Sequence, residues 1–206
     1  MKHSIESIFP IPIYISNIDR PYTKQELEFV NQQKKICVTN EGNTTTKNNY
    51  ILKTKELKNI NKFLEQHCQN YLQQVICPKN NVELYITQSW LNYTHKDQYH
   101  HKHEHPNSII SGVLYFNSDI QNDKILFTSN KGYEQIAPII DNTKFNFWNS
   151  RTWFFPVKTG ELYLFPSSTT HQVETKQGNN TRISLAFNTF YKGTIGSNSD
   201  LTELIL

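Results

Sequence analysis

Apolar positions along this 206-residue chain follow a helical period in its first third and an alternating, strand-like period from residue 82 onward. In "SIFPIPIYIS", residues 7–16, Ile11, Ile13 and Ile15 alternate, but Pro10 and Pro12 remove two ladder donors, which predicts an edge strand. "YTKQELEFVNQQKK", residues 22–35, predicts a short helix capped near Thr23 with Leu27 and Val30 on one face. The polar stretch 39–49 reads as a loop. Residues 54–78 then keep Leu57, Ile60, Leu64, Tyr71 and Val75 on one helical face until Pro78, as expected of a scaffold helix packed on a sheet.

From residue 82 the chain breaks into "VELYITQSWLNY", "IISGVLYFN", "KILFTS", "RTWFFPV", "ELYLFPS", "HQVET" and "TRISLAFNTFY", separated by turn residues. Helices followed by a run of strands predict a mainly β protein, an antiparallel sandwich or barrel with helices on one face. The length fits one domain, 1–206, with helical support over about 22–78 and a barrel core over about 82–192.

Composition narrows the function classes. No apolar run reaches the roughly 18 to 20 residues needed to span a bilayer, and the start lacks the order of a secretion signal, so the expectation is a soluble, cytoplasmic protein. Cys37, Cys68 and Cys77 form no CxxC pair, and their odd number argues against a disulfide framework. A net charge of +3, scattered along the chain, argues against a nucleic-acid partner. Aromatic residues at 13% suit strand-rich packing.

The candidate chemistry begins at "YHHKHEHPNS", which places four of the eight histidines, His100, His101, His103 and His105, within six positions. On an extended strand His103 and His105 share a face, roughly 7 Å apart at Cα, and can converge on one ion. His101 shares that parity and His100 does not. Pro106 puts the run at a strand end. A third imidazole, His171, opens a later strand, and 11 residues beyond it Arg182 and Ser184 share a strand face against bulky Ile183 and Leu185. A cation and a hydroxyl so placed can grip a small carboxylate.

In this order, "H-x-H-P-N-S" before "SGVLYFN", "G-x-L-x-L-F-P-S" before "H-x-V", and "R-I-S-L-A-F-N" resemble the Fe(II)- and 2-oxoglutarate-dependent oxygenases, in particular a small branch of bacteria and phages. The resemblance spans residues 90 to 190 and implies a double-stranded β-helix, the jelly-roll or cupin-like barrel. It implies Fe(II) held by His103, His105 and His171, with the keto acid end of 2-oxoglutarate chelating the iron. Arg182 and Ser184 then hold its far carboxylate and Tyr115 reaches the same group. The implied reaction is oxygen-dependent hydroxylation with release of succinate and CO2. One position departs from the family: His105 stands where the usual facial triad has a carboxylate, and Glu104 should point to the opposite face. Three-histidine iron sites exist in related barrels.

Several alternatives stay open on sequence. A literal His-x-Asp occurs at His95 and Asp97, in a Lys-rich turn, and His101 could pair with His103. Trp90, Asn92 and Asn188 are pocket walls by strand parity, and the two asparagines are candidates for cosubstrate binding. Competing functions are a cupin-like metalloprotein that has no need of a cation at Arg182, or a non-catalytic metal-binding barrel. The substrate, a small molecule or a peptide such as a prolyl segment, is not identified by any motif. The aromatic stretch "KFNFWNSRTWFF", residues 144–155, is where substrate contacts are expected.

Overall fold

A computed structural model of the chain describes residues 2–129, 138–141 and 143–206. In chain order the strands and α-helices are β1 (Tyr14–Asn17), α1 (Lys24–Gln33), β2 (Cys37–Asn40), β3 (Asn43–Thr46), α2 (Lys58–Tyr71), β4 (Val82–Thr94) and β5 (His100–His103). There follow β6 (Ile110–Asn117), β7 (Lys124–Thr128), β8 (Thr152–Pro156), β9 (Glu161–Pro166), β10 (His171–Val173), β11 (Arg182–Ile195) and β12 (Leu204–Ile205).

The strands form a large sheet, ordered β1-β9-β6-β11-β4-β3-β2 with β12 beside β11, and a smaller one, ordered β5-β10-β7-β8. All named pairings are antiparallel. The fold is the mainly β, two-sheeted jelly roll expected from the strand pattern.

Alternation along the large sheet sorts side chains into two layers. Leu91, Leu114, Leu162, Leu164, Leu185 and Phe187 are buried with Ile60, Leu64 and Tyr71 of α2 in one apolar core. The intervening positions, such as Tyr115, Tyr163 and Phe165, form a second core with Ile125 and Phe127 of the small sheet. The helices thus seal one face of the large sheet and leave its other face to line the barrel.

Thr23 caps α1 as expected: Glu26 N–H donates to its hydroxyl at 3.2 Å, and Glu26 Oε2 accepts from Thr23 N–H at 2.7 Å. Arg20 closes on the same Glu26 carboxylate at 2.6 and 2.9 Å.

Four expectations need correction. Only Tyr14–Asn17 of the 7–16 region pairs as a strand, at the sheet edge, because the two prolines leave no ladder donors before it. The 39–49 stretch is mostly the β2-β3 hairpin, turning at Glu41 and Gly42, whose φ of +85° favours glycine. Its threonines carry the pairing: Thr45 Oγ1 donates to Leu91 O and Thr46 Oγ1 accepts from Leu91 N–H, both at 3.1 Å. Leu27 is exposed, and Phe29 joins Val30 on the buried face of α1. Val75 is exposed as well, because a π-helical turn over Leu72–Ile76 rotates the helix face and buries Leu72 instead.

Candidate metal centre and anion site

β5 and β10 meet at one rung of the small sheet, where His103 is the direct cross-strand partner of His171. His105 follows two residues after β5, fixed by its backbone N–H on Ser167 O at 3.0 Å. One ring nitrogen from each of His103, His105 and His171 lies within 4.8 Å of the other two, and His105 Nε2 stands 3.3 Å from His171 Nε2. Two nitrogens each about 2.1 Å from a common ion stand roughly 3.0 to 3.4 Å apart at angles between octahedral and tetrahedral. The spacing fits.

The backbone sets the tautomers. A carbonyl oxygen only accepts, so His103 Nδ1–H donates to His101 O at 2.7 Å and His171 Nδ1–H donates to Thr169 O at 2.9 Å. In both rings the lone pair is therefore left on Nε2, the usual arrangement for a metal-ligating histidine. Burial pushes the pKa of His171 down to about 3 and that of His105 to about 4, with neighbouring imidazoles adding to the effect. Burial lowers His103 too, against the opposing carbonyl of His101. Three neutral donors, two of them oriented by backbone carbonyls, suit a borderline divalent ion such as Fe, Ni or Zn.

A cavity of about 40 Å³ joins these imidazoles to a polar far end. There Ser184 sits in register with Asn92 on one side and Tyr115 on the other, and Arg182 lies one interior position along β11. Arg182 is only 3% exposed, and its one hydrogen bond among the described residues runs from a guanidinium N–H to Thr94 Oγ1 at 3.0 Å. Among the described residues no carboxylate pairs with it. Burial lowers its pKa, with Tyr115 and Asp123 opposing, yet a guanidinium stays charged.

Asn92 Oδ1 is likewise buried without a partner among the described residues, and turning its amide over presents N–H donors instead. A buried cation with donors unused among the described residues, beside a hydroxyl and an amide, has the chemistry to receive an anion.

The loop ahead of β11 holds this end in place. Lys176 Nζ is fully buried, donates to Asn180 Oδ1 at 2.7 Å and to Gly178 O at 3.2 Å, and stands 3.3 Å from Asp123 Oδ1. Pairing across that buried contact fixes where β11 begins.

His103, His105, His171, Arg182, Ser184, Tyr115, Asn92 and Trp90 all line the one cavity. Asn188 faces the interior but does not line it; its Oδ1 accepts from Ser111 Oγ at 3.0 Å within a hydroxyl network that includes Ser167 and Ser108. Glu104 turns away as expected and is held by the hydroxyl of Thr170. His95 and Asp97 lie in a turn outside the cluster, where His95 Nδ1 meets Thr181 Oγ1 at 3.0 Å and Asp97 has a φ of +66°.

His101 faces Glu41 of the hairpin, 3.9 Å away. Its ring and those of His100 and His103 form a second group whose ligand atoms lie within 4.8 Å of one another.

His100 is the residue that parity misplaced. Between His103 and His100 the β5 strand carries one more residue than β10 does between His171 and Val173, so a bulge returns His100 to the barrel interior. No residue-level signal in "YHHKH" announces a bulge. Phe147, Trp148, Ser150 and Arg151 of the aromatic stretch, with the segment 6–13 and β8, line a separate, largely apolar cavity of about 490 Å³ that also includes Thr169.

Residues 88–188 match a family model described as "Putative 2OG-Fe(II) oxygenase". Similar solved structures include an oxidoreductase of the 2OG-Fe(II) oxygenase family from Burkholderia pseudomallei, with a TM-score of 0.56 at 12% identity over 86% of this chain and 84% of that one. HygX from Streptomyces hygroscopicus, with nickel and 2-oxoglutarate bound, has a TM-score of 0.58 at 8% identity over 87% and 82%. A Trichoplax adhaerens prolyl hydroxylase in complex with a hypoxia inducible factor peptide has a TM-score of 0.56 at 14% identity over 86% and 83%. At these identities the likeness establishes the fold. A search of curated proteins found no matching sequence.

Proposed function

Because residues 88–188 match a model of the 2OG-Fe(II) oxygenase family, we propose that this chain is an Fe(II)- and 2-oxoglutarate-dependent dioxygenase that hydroxylates a small molecule or a peptide. His103, His105 and His171 hold the metal, and Arg182, Ser184 and Tyr115 hold the far carboxylate of 2-oxoglutarate. The observation that carries this reading is the buried guanidinium of Arg182, without an ion pair among the described residues, in the same cavity as three convergent imidazoles. Bound iron would supply the oxygen-activating redox chemistry, coupled to conversion of the cosubstrate to succinate and CO2.

The chain's own residues do the rest. Thr169 O and His101 O keep the Nδ1 protons of His171 and His103 in place, so in both rings the Nε2 lone pair is the one offered to a metal. Arg182 offers its two-pronged donor face to a carboxylate, and Ser184 adds a single hydroxyl donor. Val113, Ile125 and Phe165 wall the cavity with apolar surface and exclude bulk water, which strengthens each charged contact inside. His105 contributes no negative charge where relatives use a carboxylate, so the bound dianion supplies the charge balance at the metal.

The purified protein is expected to bind one Fe(II) per chain, and His171→Ala to lower that stoichiometry; an unchanged metal content would remove His171 from the site. Wild-type protein should release succinate slowly from 2-oxoglutarate without a prime substrate, and His105→Asp should raise that rate. A protein that binds iron and not 2-oxoglutarate would instead favour a cupin-like metalloprotein. The buried Arg182 has no purpose in that second reading.

A further inference from the structure

Four imidazoles reach the inner cavity, and three of them are hydrogen-bonded: His103 to His101 O, His171 to Thr169 O, and His105 to His171. The fourth, His100, makes no side-chain hydrogen bond among the described residues. Ring packing alone holds it: its plane lies 17° from that of His103 with centroids 4.6 Å apart, and His101 stands 5.2 Å away.

Its position is special in a second way. His100, Gln172, Val173 and Arg182 line both the inner cavity of about 40 Å³ and an outer cavity of about 1010 Å³ that opens beside Glu41, Lys102 and Gln177. Val173 is the cross-strand partner of His100, so the partition lies at the β5 bulge, where the ladder between the two strands is irregular.

The inner cavity has room for about three waters, given roughly 10 to 15 Å³ for each. 2-Oxoglutarate has ten non-hydrogen atoms. A diacid bridging the imidazoles and Arg182 therefore needs space that the wall now fills, and His100 is the imidazole of that wall with no side-chain hydrogen bond among the described residues and a large outer cavity to turn into.

We propose that His100 is the gate of the cosubstrate site: its imidazole closes the inner cavity in the free protein and swings into the outer cavity as a dianion enters past Lys102 toward Arg182. This rests on the reading of Arg182 as the carboxylate anchor. A basic residue at the mouth and a guanidinium at the end draw a dianion along that path. The bulge lets the gate turn without breaking the His103–His171 rung, so the metal ligands stay in place during entry.

The test is stopped-flow association of 2-oxoglutarate with the Fe(II)-loaded protein under anaerobic conditions, read by Trp90 fluorescence and calibrated by calorimetry. Metal content of each variant is measured first. His100→Ala is expected to keep its metal and to raise the association rate by roughly two- to tenfold, the factor that a ring stack of ordinary strength is worth. His100→Phe keeps the stack and should associate near the wild-type rate, which separates a gate from a polar contact. His100→Trp should associate more slowly.

An association rate for His100→Ala equal to or below that of wild type, with Arg182→Ala still weakening binding, overturns the gate and leaves the anion site standing. Failure of wild type and His100→Ala alike to bind 2-oxoglutarate overturns the anion site and the gate with it.

Discussion

The two faces of β11 are one strand read twice. Ile183, Leu185 and Phe187 point to the helices and are packed into an apolar core, whereas Arg182, Ser184 and Ala186 point into the barrel and line the cavity that the imidazoles share. Neighbouring residues share a backbone but not a purpose. The helix-facing side gains stability from dry packing, and the barrel-facing side holds a charge that burial disfavours and that no carboxylate among the described residues pairs with directly. Stability and binding are therefore separable by moving one position along the strand.

That separation can be broken most forcefully on the packed side. Leu185 is fully buried, and Leu185→Ala should cost about 3 to 5 kcal/mol of unfolding free energy in urea titrations. Metal content per folded chain should stay the same.

One interior position away, Arg182→Leu should behave oppositely. It replaces a buried cation that has no direct ion pair among the described residues by an apolar side chain, so stability without ligand is expected to hold or rise. The affinity for 2-oxoglutarate should fall by about 2 to 5 kcal/mol in calorimetry. A loss of stability equal to that of Leu185→Ala would erase the contrast between the faces.

Gly112 sharpens the comparison on β6. A Cβ there would stand 2.2 Å from Phe187 and 2.8 Å from Leu164, both on the helix-facing side. Gly112→Ala should cost about 1 to 3 kcal/mol through overpacking, read from the thermal midpoint.

The smallest effect belongs to the helix layer itself. Glu26 is buried; burial raises its pKa, but Arg20 and the Thr23 N–H and hydroxyl outweigh that and leave it below the usual 4.5. With the folded pKa below the unfolded one, its contribution is complete above about pH 4.5 and is lost as the pH falls through the folded value. Glu26→Gln should cost about 1 kcal/mol at neutral pH and flatten the acid limb of the stability profile.

How much of this was legible in the sequence follows the same division. The seven strand segments from residue 82 onward, and the pairing of Arg182 with Ser184 on one face, are legible because β11 runs regularly against β4 from Arg182 to Phe187; its irregular step against β6, between Ile183 and Ser184, puts the extra residue on β6. The alternation fails where the extra residue lies on the strand being read. The two-residue period puts His100 on the wrong face because it does not register one extra residue in β5.

The helical period puts Val75 on the buried face because it assumes a constant repeat, to which the π-helical turn adds a residue. The β2-β3 hairpin looks like a loop in sequence because its threonines hold it by side-chain bonds to β4, which a hydrophobic pattern does not register.

The His103–His171 rung joins positions 68 residues apart in the chain, and the cavity it borders ends at Arg182 on the other sheet. No contiguous fragment carries the ligand set, so the folding chain has to close most of its long loops before these groups meet, a late and slow event for a topology of this kind. An ion held by the three imidazoles therefore binds the native state and has little affinity for earlier ones, and it raises the global unfolding free energy rather than that of one segment. Hydrogen exchange in the helices, far from any ligand, should slow when the barrel is loaded, which makes the amides of α2 a reporter of occupancy at the opposite face of the sheet.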